Sequence, residues 1–134
     1  LADPAALKSE LLVLSTVLQD LDINFFNLGQ ASEVSSIEMI PDLLIALPTA
    51  SASCDLLPSR DLKMLDFARA RSVAAVCLRI ARETEGGNGN FRFCAGANIG
   101  AGVPFYPAAY QKTDAPAACS IAFENGELVY DVLA

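Results

Sequence analysis

The sequence predicts an α/β fold in which helices and strands alternate, with an antiparallel hairpin at the C-terminal end. Apolar residues at helical spacing alternate with short β-branched, aromatic or small-residue runs as far as residue 99. The dipeptide Asn125-Gly126, which is typical of a type I′ turn, separates residues 120–124 from residues 127–131. A hydrophobic fraction of 53% supplies enough apolar side chains for a packed core, so the 134 residues are interpreted as one partial α/β domain.

The first unit is predicted to be a helix followed by a strand. Asp3 is a suitable N-cap and Pro4 suits the first helical position. Leucines then recur at helical spacing: Leu7, Leu11, Leu14 and Leu18. Residues 23–28 form a β-branched and aromatic run that is predicted to be a strand ending before Gly29.

The second unit contains a helix whose start is ambiguous. Ser35 and Glu38 have the spacing of a capping box, but Pro41 would remove one helical hydrogen bond. Either the first turn is irregular or the helix proper begins near Pro41. Leu47-Pro48 is predicted to end this helix, and residues 50–55 to form a strand of small residues.

The longest predicted helix spans residues 61–83. Its buried stripe comprises Leu62, Leu65, Val73, Val76, Cys77 and Ile80, and three arginines lie outside that stripe: Arg71, Arg79 and Arg82. A turn at residues 85–90 leads to a predicted strand at 91–99. Residues 100–110 then form a stiff connection, typical of a packed lid or a pocket wall, because they combine aromatic residues with prolines.

Composition excludes several classes of function. A net charge of −7 argues against nucleic-acid binding, and the absence of His excludes Ser-His and Cys-His nucleophiles and His-containing zinc sites from this segment. No apolar run reaches 18 residues, so the sequence predicts no membrane span. The high apolar content and Leu1 in place of an initiator Met predict a fragment. We expect it to pack against the rest of a longer chain or a partner subunit, as a homo-oligomer.

The cysteines are interpreted as buried free thiols. Cys54, Cys77, Cys94 and Cys119 have apolar neighbours and form no CxxC pair. Free thiols indicate a reducing compartment, so we expect a cytoplasmic protein, with an organelle as the alternative. Cys94 is the one candidate nucleophile, because Arg92 could lower the pKa of its thiol; a structural thiol is the alternative.

Two strings of residues resemble a known family. Phe91-Arg92-Phe93-Cys94, followed by Pro104-Phe105-Tyr106-Pro107-Ala108-Ala109-Tyr110-Gln111, resembles domain-of-unknown-function family 711, also called uncharacterised protein family 0210. The resemblance implies a much longer chain and a barrel-like α/β fold similar to that of pyruvate formate-lyase and other glycyl-radical enzymes. Gln111 stands where the family has His, so no proton-transfer role is carried over to it.

Two hypotheses on function follow. In the first, the protein is a metabolic enzyme or small-anion-binding protein whose pocket is lined by Arg92, Asn98, Phe105, Tyr106 and Tyr110. Arginine would hold the anion, asparagine would supply a directional amide, and the aromatic residues would exclude water. In the second, residues 104–110, which we call the aromatic segment, form an oligomer interface and the protein is non-catalytic. The sequence indicates no metal and no particular cofactor.

Overall fold

Helices and strands alternate along the part of the chain that the computed structural model describes, which comprises residues 4–57, 66–97, 99–102, 105–108, 114, 116–117 and 130–132. The elements are α1 (Pro4–Asp20), β1 (Phe26–Ala31), α2 (Val34–Ala46), β2 (Ala50–Asp55), α3 (Phe67–Glu83) and β3 (Phe93–Gly96). A 3-10 segment, Glu85–Arg92, precedes β3. The predicted α/β alternation is confirmed, and β2 has the predicted bounds.

The strands form a small parallel sheet with the order β1-β2-β3. Ala31 of β1 lies opposite Cys54 of β2, and Ala52 of β2 lies opposite Phe93 of β3. Within the described residues the sheet is open, so the barrel-like fold stays a prediction.

Strand β1 contains a bulge between Asn27 and Gln30, where its register against β2 shifts. Gly29 adopts a φ of +90° there, and its N–H donates to Oδ1 of Asn27 at 2.6 Å. The prediction of a strand ending before Gly29 is therefore wrong. Glycine tolerates the left-handed conformation, so the bulge lies inside the strand and β1 continues to Ala31.

The core lies between the sheet and a layer formed by α2 and α3. Its members come from both helices, from β2 and β3, and from the residue that follows α2; the most buried are Ile37, Leu44, Leu47, Ala50, Cys54 and Ile80. Pro41 is buried inside α2, which begins at Val34. Glu33 is the N-cap of α2 and makes no side-chain capping bond, so the predicted capping box does not form.

Other boundaries also differ from the predictions. Strand β1 begins at Phe26, not at residue 23. The last strand spans Phe93–Gly96, not residues 91–99, and Arg92 belongs to the 3-10 segment before it. Helix α3 is described from Phe67, with Asp66 as its N-cap, and residues 61–65 lie outside the described residues. Most of the predicted hairpin also lies outside them. Residues 130–132 are helical, so the second strand does not extend to Asp131.

Candidate functional site

The carboxyl ends of the parallel strands lie along one edge of the sheet. The N–H of Leu56, directly after β2, donates to the carbonyl of Gly96 at the end of β3 at 2.8 Å. Helices α2 and α3 begin at this edge, because each connects one parallel strand to the next. Open parallel α/β sheets bind their ligands outside the carboxyl ends of the strands, so the fold favours a site here.

Arg69, in the first turn of α3, lies at this carboxyl edge with only 6% of its surface exposed. Its Nη1 donates to the carbonyl oxygen of Ser32, which follows β1, and to that of Asp55, which ends β2, the latter at 3.3 Å. The guanidinium therefore joins the carboxyl ends of two neighbouring strands.

Some N–H donors of the same guanidinium have no acceptor among the described residues. Both of its hydrogen bonds come from Nη1, and the buried Nε has no acceptor. The ion pairs within the described ranges join Arg79 to Asp42 and Glu83, so Arg69 has no carboxylate partner there. A buried donor without an acceptor costs about 1–3 kcal/mol, and a buried charge without a counter-charge costs more.

The two helices that begin at this edge differ at their N-termini. Asp66 caps α3, because its Oδ1 accepts hydrogen bonds from the N–H groups of Ala68 and Arg69 at 2.9 and 3.1 Å. Glu33 provides no such side-chain bond to α2. The first N–H groups of a helix have no intrahelical acceptor and carry partial positive charge. The N-terminus of α2 therefore offers donors at this edge.

Arg92 lies at the opposite edge, directly before β3. Its Nη2 donates to the carbonyl of Leu44 at 2.8 Å, and its Nη1 donates to those of Leu47 and Ala50 at 3.0 and 2.9 Å. Burial lowers the pKa of Arg92, and the nearby Tyr106 acts in the opposite direction. The predicted anion-binding arginine is thus engaged with main-chain oxygens at the C-terminal end of α2 and at the start of β2.

The aromatic segment is fastened to β1. Nδ2 of Asn27 donates to the carbonyl of Pro107 at 2.6 Å, and both Pro107 and Ala108 are buried. Phe105 and Tyr106, by contrast, are 61% and 50% exposed. Among the predicted pocket residues, Tyr106 acts electrostatically on the pKa of Arg92, whereas Asn98 and Tyr110 lie outside the described residues.

The described cysteines, Cys54, Cys77 and Cys94, are free thiols, and Cys119 lies outside the described residues. Burial raises the pKa of Cys54 to about 12 and also raises the pKa of Cys94. A nucleophilic thiolate needs a lowered pKa, so the surroundings of Cys94 do not support the predicted activation by Arg92.

The described ranges hold neither a metal-binding cluster nor a membrane-spanning helix. No group of three or more His, Cys, Asp or Glu side chains within them could hold a metal ion. No helix within them is both long enough and apolar enough to span a membrane.

Arg69 was not among the site residues predicted from the sequence, although its position carried a signal. Arg69 precedes Val73 by four residues and Val76 by seven, so it belongs to the apolar stripe of α3. An arginine on such a stripe is expected to be buried, and a buried guanidinium needs acceptors. Arg71, two residues later, is exposed as predicted.

A family model described as "Uncharacterised ACR (DUF711)" matches residues 3–134. The chain belongs to the DUF711 family. This membership confirms the resemblance carried by the strings that begin at Phe91 and Pro104. No curated protein and no solved structure matches the chain. The function of this DUF711 chain therefore has to be argued from its site.

Proposed function

We propose that this DUF711 chain binds a small anionic ligand at the carboxyl edge of its sheet, with Arg69 as the principal charged contact. One observation carries the proposal: a buried guanidinium at this edge has an unsatisfied Nε and no carboxylate partner among the described residues. The sequence predicted a small anion as ligand but assigned it to Arg92, whose Nη1 and Nη2 donate to carbonyl groups.

An anion at this position would satisfy two requirements of the site. It would accept hydrogen bonds from Nε and Nη2 of Arg69, and its negative charge would compensate the buried positive charge. The N–H groups at the start of α2 would supply further donors. The proposal is a binding function and includes no chemical step.

Calorimetric titration of the purified protein with acetate and with inorganic phosphate, at constant ionic strength, tests this proposal. We expect at least one of these anions to bind, and Arg69→Ala to lower its affinity by about tenfold or more. Arg71→Ala removes an exposed positive charge from the same helix and should leave the affinity unchanged.

Arg69→Lys is a second variant, for the case in which Arg69→Ala does not fold. It keeps the positive charge and a donor for the strand carbonyls, but it lacks the planar pair of donors. Circular dichroism establishes that each variant is folded. Failure of both anions to bind, or binding that is equal in the wild type and the folded Arg69 variants, would contradict the proposal.

A second candidate function is an oligomer interface formed by α1 with a second copy of the chain. Val13 and Val17 of α1 are 63% and 49% exposed, and soluble monomers rarely expose large contiguous apolar patches. Leu12 and Leu14 of the same helix are 44% and 42% exposed, so a second copy of the chain would cover a continuous apolar surface of α1. Light scattering that shows a monodisperse monomer would contradict this candidate.

A further inference from the structure

We infer that the anion bound at Arg69 is an aliphatic monocarboxylate whose hydrocarbon part occupies the cavity between α1, α2 and β1. This inference rests on the proposed function and specifies the chemical class of its ligand. Three features carry it: the shape of the free donor pair, the charges around it and the position of the cavity.

The free donors of Arg69 match a carboxylate in shape. Nε and Nη2 lie on the same side of the planar guanidinium, while Nη1 is engaged with Ser32 and Asp55. These two parallel N–H groups form a fork that can hold both oxygens of one carboxylate.

The charges around Arg69 favour a monoanion over a phosphate dianion. Asp66 receives a hydrogen bond from the main-chain N–H of Arg69, and Asp55 ends the strand whose carbonyl Arg69 binds. Glu33 directly follows Ser32, the other acceptor of Arg69. Three acidic residues thus adjoin Arg69 or its acceptors along the chain, and none of them forms an ion pair with the guanidinium. A ligand with a second negative charge would be repelled by them.

The cavity has a volume of about 280 Å³ and is partly open to solvent. Its apolar lining comes from α1, β1 and α2: Leu7, Leu11, Leu28, Met39, Ile40 and Leu43. Protein interiors contain few voids larger than a water molecule, so an apolar cavity of this size has room for a hydrocarbon chain.

The cavity extends to the connection between β1 and α2. Ala31 and Ser36 line it, and they lie before and after Ser32 in the sequence. The carbonyl of Ser32 accepts the hydrogen bond from Arg69, which is not itself among the lining residues. A carboxylate held at the start of α2 can therefore extend its hydrocarbon part into the cavity.

Titration of the purified protein with acetate, hexanoate and inorganic phosphate tests the ligand class. We expect hexanoate to bind more than tenfold tighter than acetate, since each buried methylene contributes about fourfold in affinity. Phosphate should bind more weakly than either carboxylate. Arg69→Lys should weaken the binding of both carboxylates, whereas Arg71→Ala should not.

A variant that fills the cavity separates the hydrocarbon part from the anion. Leu11→Phe should remove the advantage of hexanoate over acetate and leave the affinity for acetate unchanged. Leu14→Phe, on the same helix but outside the cavity lining, is the matched control. If Leu11→Phe lowers thermal stability, the ratio of hexanoate affinity to acetate affinity in the wild type decides whether the hydrocarbon part is bound.

Several results would overturn the inference, and they can be told apart from a failure of the proposed function. Equal affinities for hexanoate and acetate, or tighter binding of phosphate, would contradict the ligand class, while dependence on Arg69 would still support an anion site. Hexanoate binding that does not depend on Arg69 would contradict the inferred arrangement. If none of the three anions binds, the proposed function itself fails.

Discussion

Nη2 of Arg92 donates a hydrogen bond to the carbonyl oxygen of Leu44 at 2.8 Å, across 48 residues of sequence. This bond links the residue before β3 to the last turn of α2. Carbonyl groups at the end of a helix lack intrahelical donors, and Arg92 supplies donors both to this one and to Leu47. The geometry favours a stabilising role for Arg92.

Arg92→Ala should lower the free energy of unfolding by about 2–4 kcal/mol, because three carbonyl groups lose a charged donor. Urea denaturation followed by circular dichroism measures this change. Arg82→Ala, at an exposed position near the end of α3, should change the free energy of unfolding by less than about 0.5 kcal/mol. Equal effects of the two substitutions would refute the stabilising role of Arg92.

Asn27 is expected to fasten the aromatic segment to β1. Asn27→Ala removes the bonds to Pro107 and Gly29, whereas Asn27→Asp keeps an acceptor for the N–H of Gly29 and removes only the donor to Pro107. We expect both variants to expose the segment around Tyr106 to limited proteolysis, and Asn27→Ala to be the less stable by about 1 kcal/mol. A wild-type cleavage pattern for Asn27→Asp would show that its bond to Pro107 does not hold the segment.

Gly89 has no room for a side chain. A Cβ atom there would lie 2.7 Å from Cγ2 of Ile80 and 2.7 Å from Cγ2 of Thr84, both of which pack around it. Gly89→Ala should therefore destabilise the protein by about 1–3 kcal/mol. Gly100→Ala is the matched control, since a Cβ at Gly100 meets nothing within 4 Å. Thermal or urea unfolding that shows no difference between the two variants would contradict the packing around Gly89.

Stability should fall at alkaline pH because of Cys54. Burial raises the pKa of Cys54 from 9.0 to about 12, so the folded protein keeps this proton where the unfolded chain loses it. The stabilising effect is complete below about pH 9 and is lost between pH 9 and 12, at about 1.4 kcal/mol per pH unit. Cys54→Ala should therefore reduce the slope of unfolding free energy against pH above 9. An unchanged slope would contradict this account.

Local sequence patterns predicted the order of the helices and strands well. The residues at which these elements begin and end depended on packing. The Asp3-Pro4 start, the apolar spacing of α1 and the small-residue run of β2 were sufficient for those two elements. The end of β1 was misplaced because Gly29 was interpreted as a strand terminator. A bulge supported by Asn27 allows the strand to continue through it.

The candidate site was less accessible from sequence because its contacts are distant along the chain. Arg69 binds the carbonyl of Ser32, 37 residues away, and nothing in a linear pattern pairs the two. Arg92 was predicted to line a pocket beside the aromatic segment, but its carbonyl partners lie 42 to 48 residues earlier. The sequence could indicate that an arginine binds at the site. The carbonyl groups that accept its hydrogen bonds could be identified only from the folded structure.

The central claim is that the free donors of Arg69 form an anion receptor, and the resonance of its Nε–H group reports on that most directly. Nuclear magnetic resonance of the side-chain Nε–H groups, recorded while acetate is added at constant ionic strength, measures the response of each arginine. The account predicts a saturable shift of the Arg69 resonance and none of the Arg92 resonance, because Nη1 and Nη2 of Arg92 already donate to carbonyl groups. An Arg69 resonance that does not move while acetate binds elsewhere, or a saturable shift confined to Arg92, would contradict it.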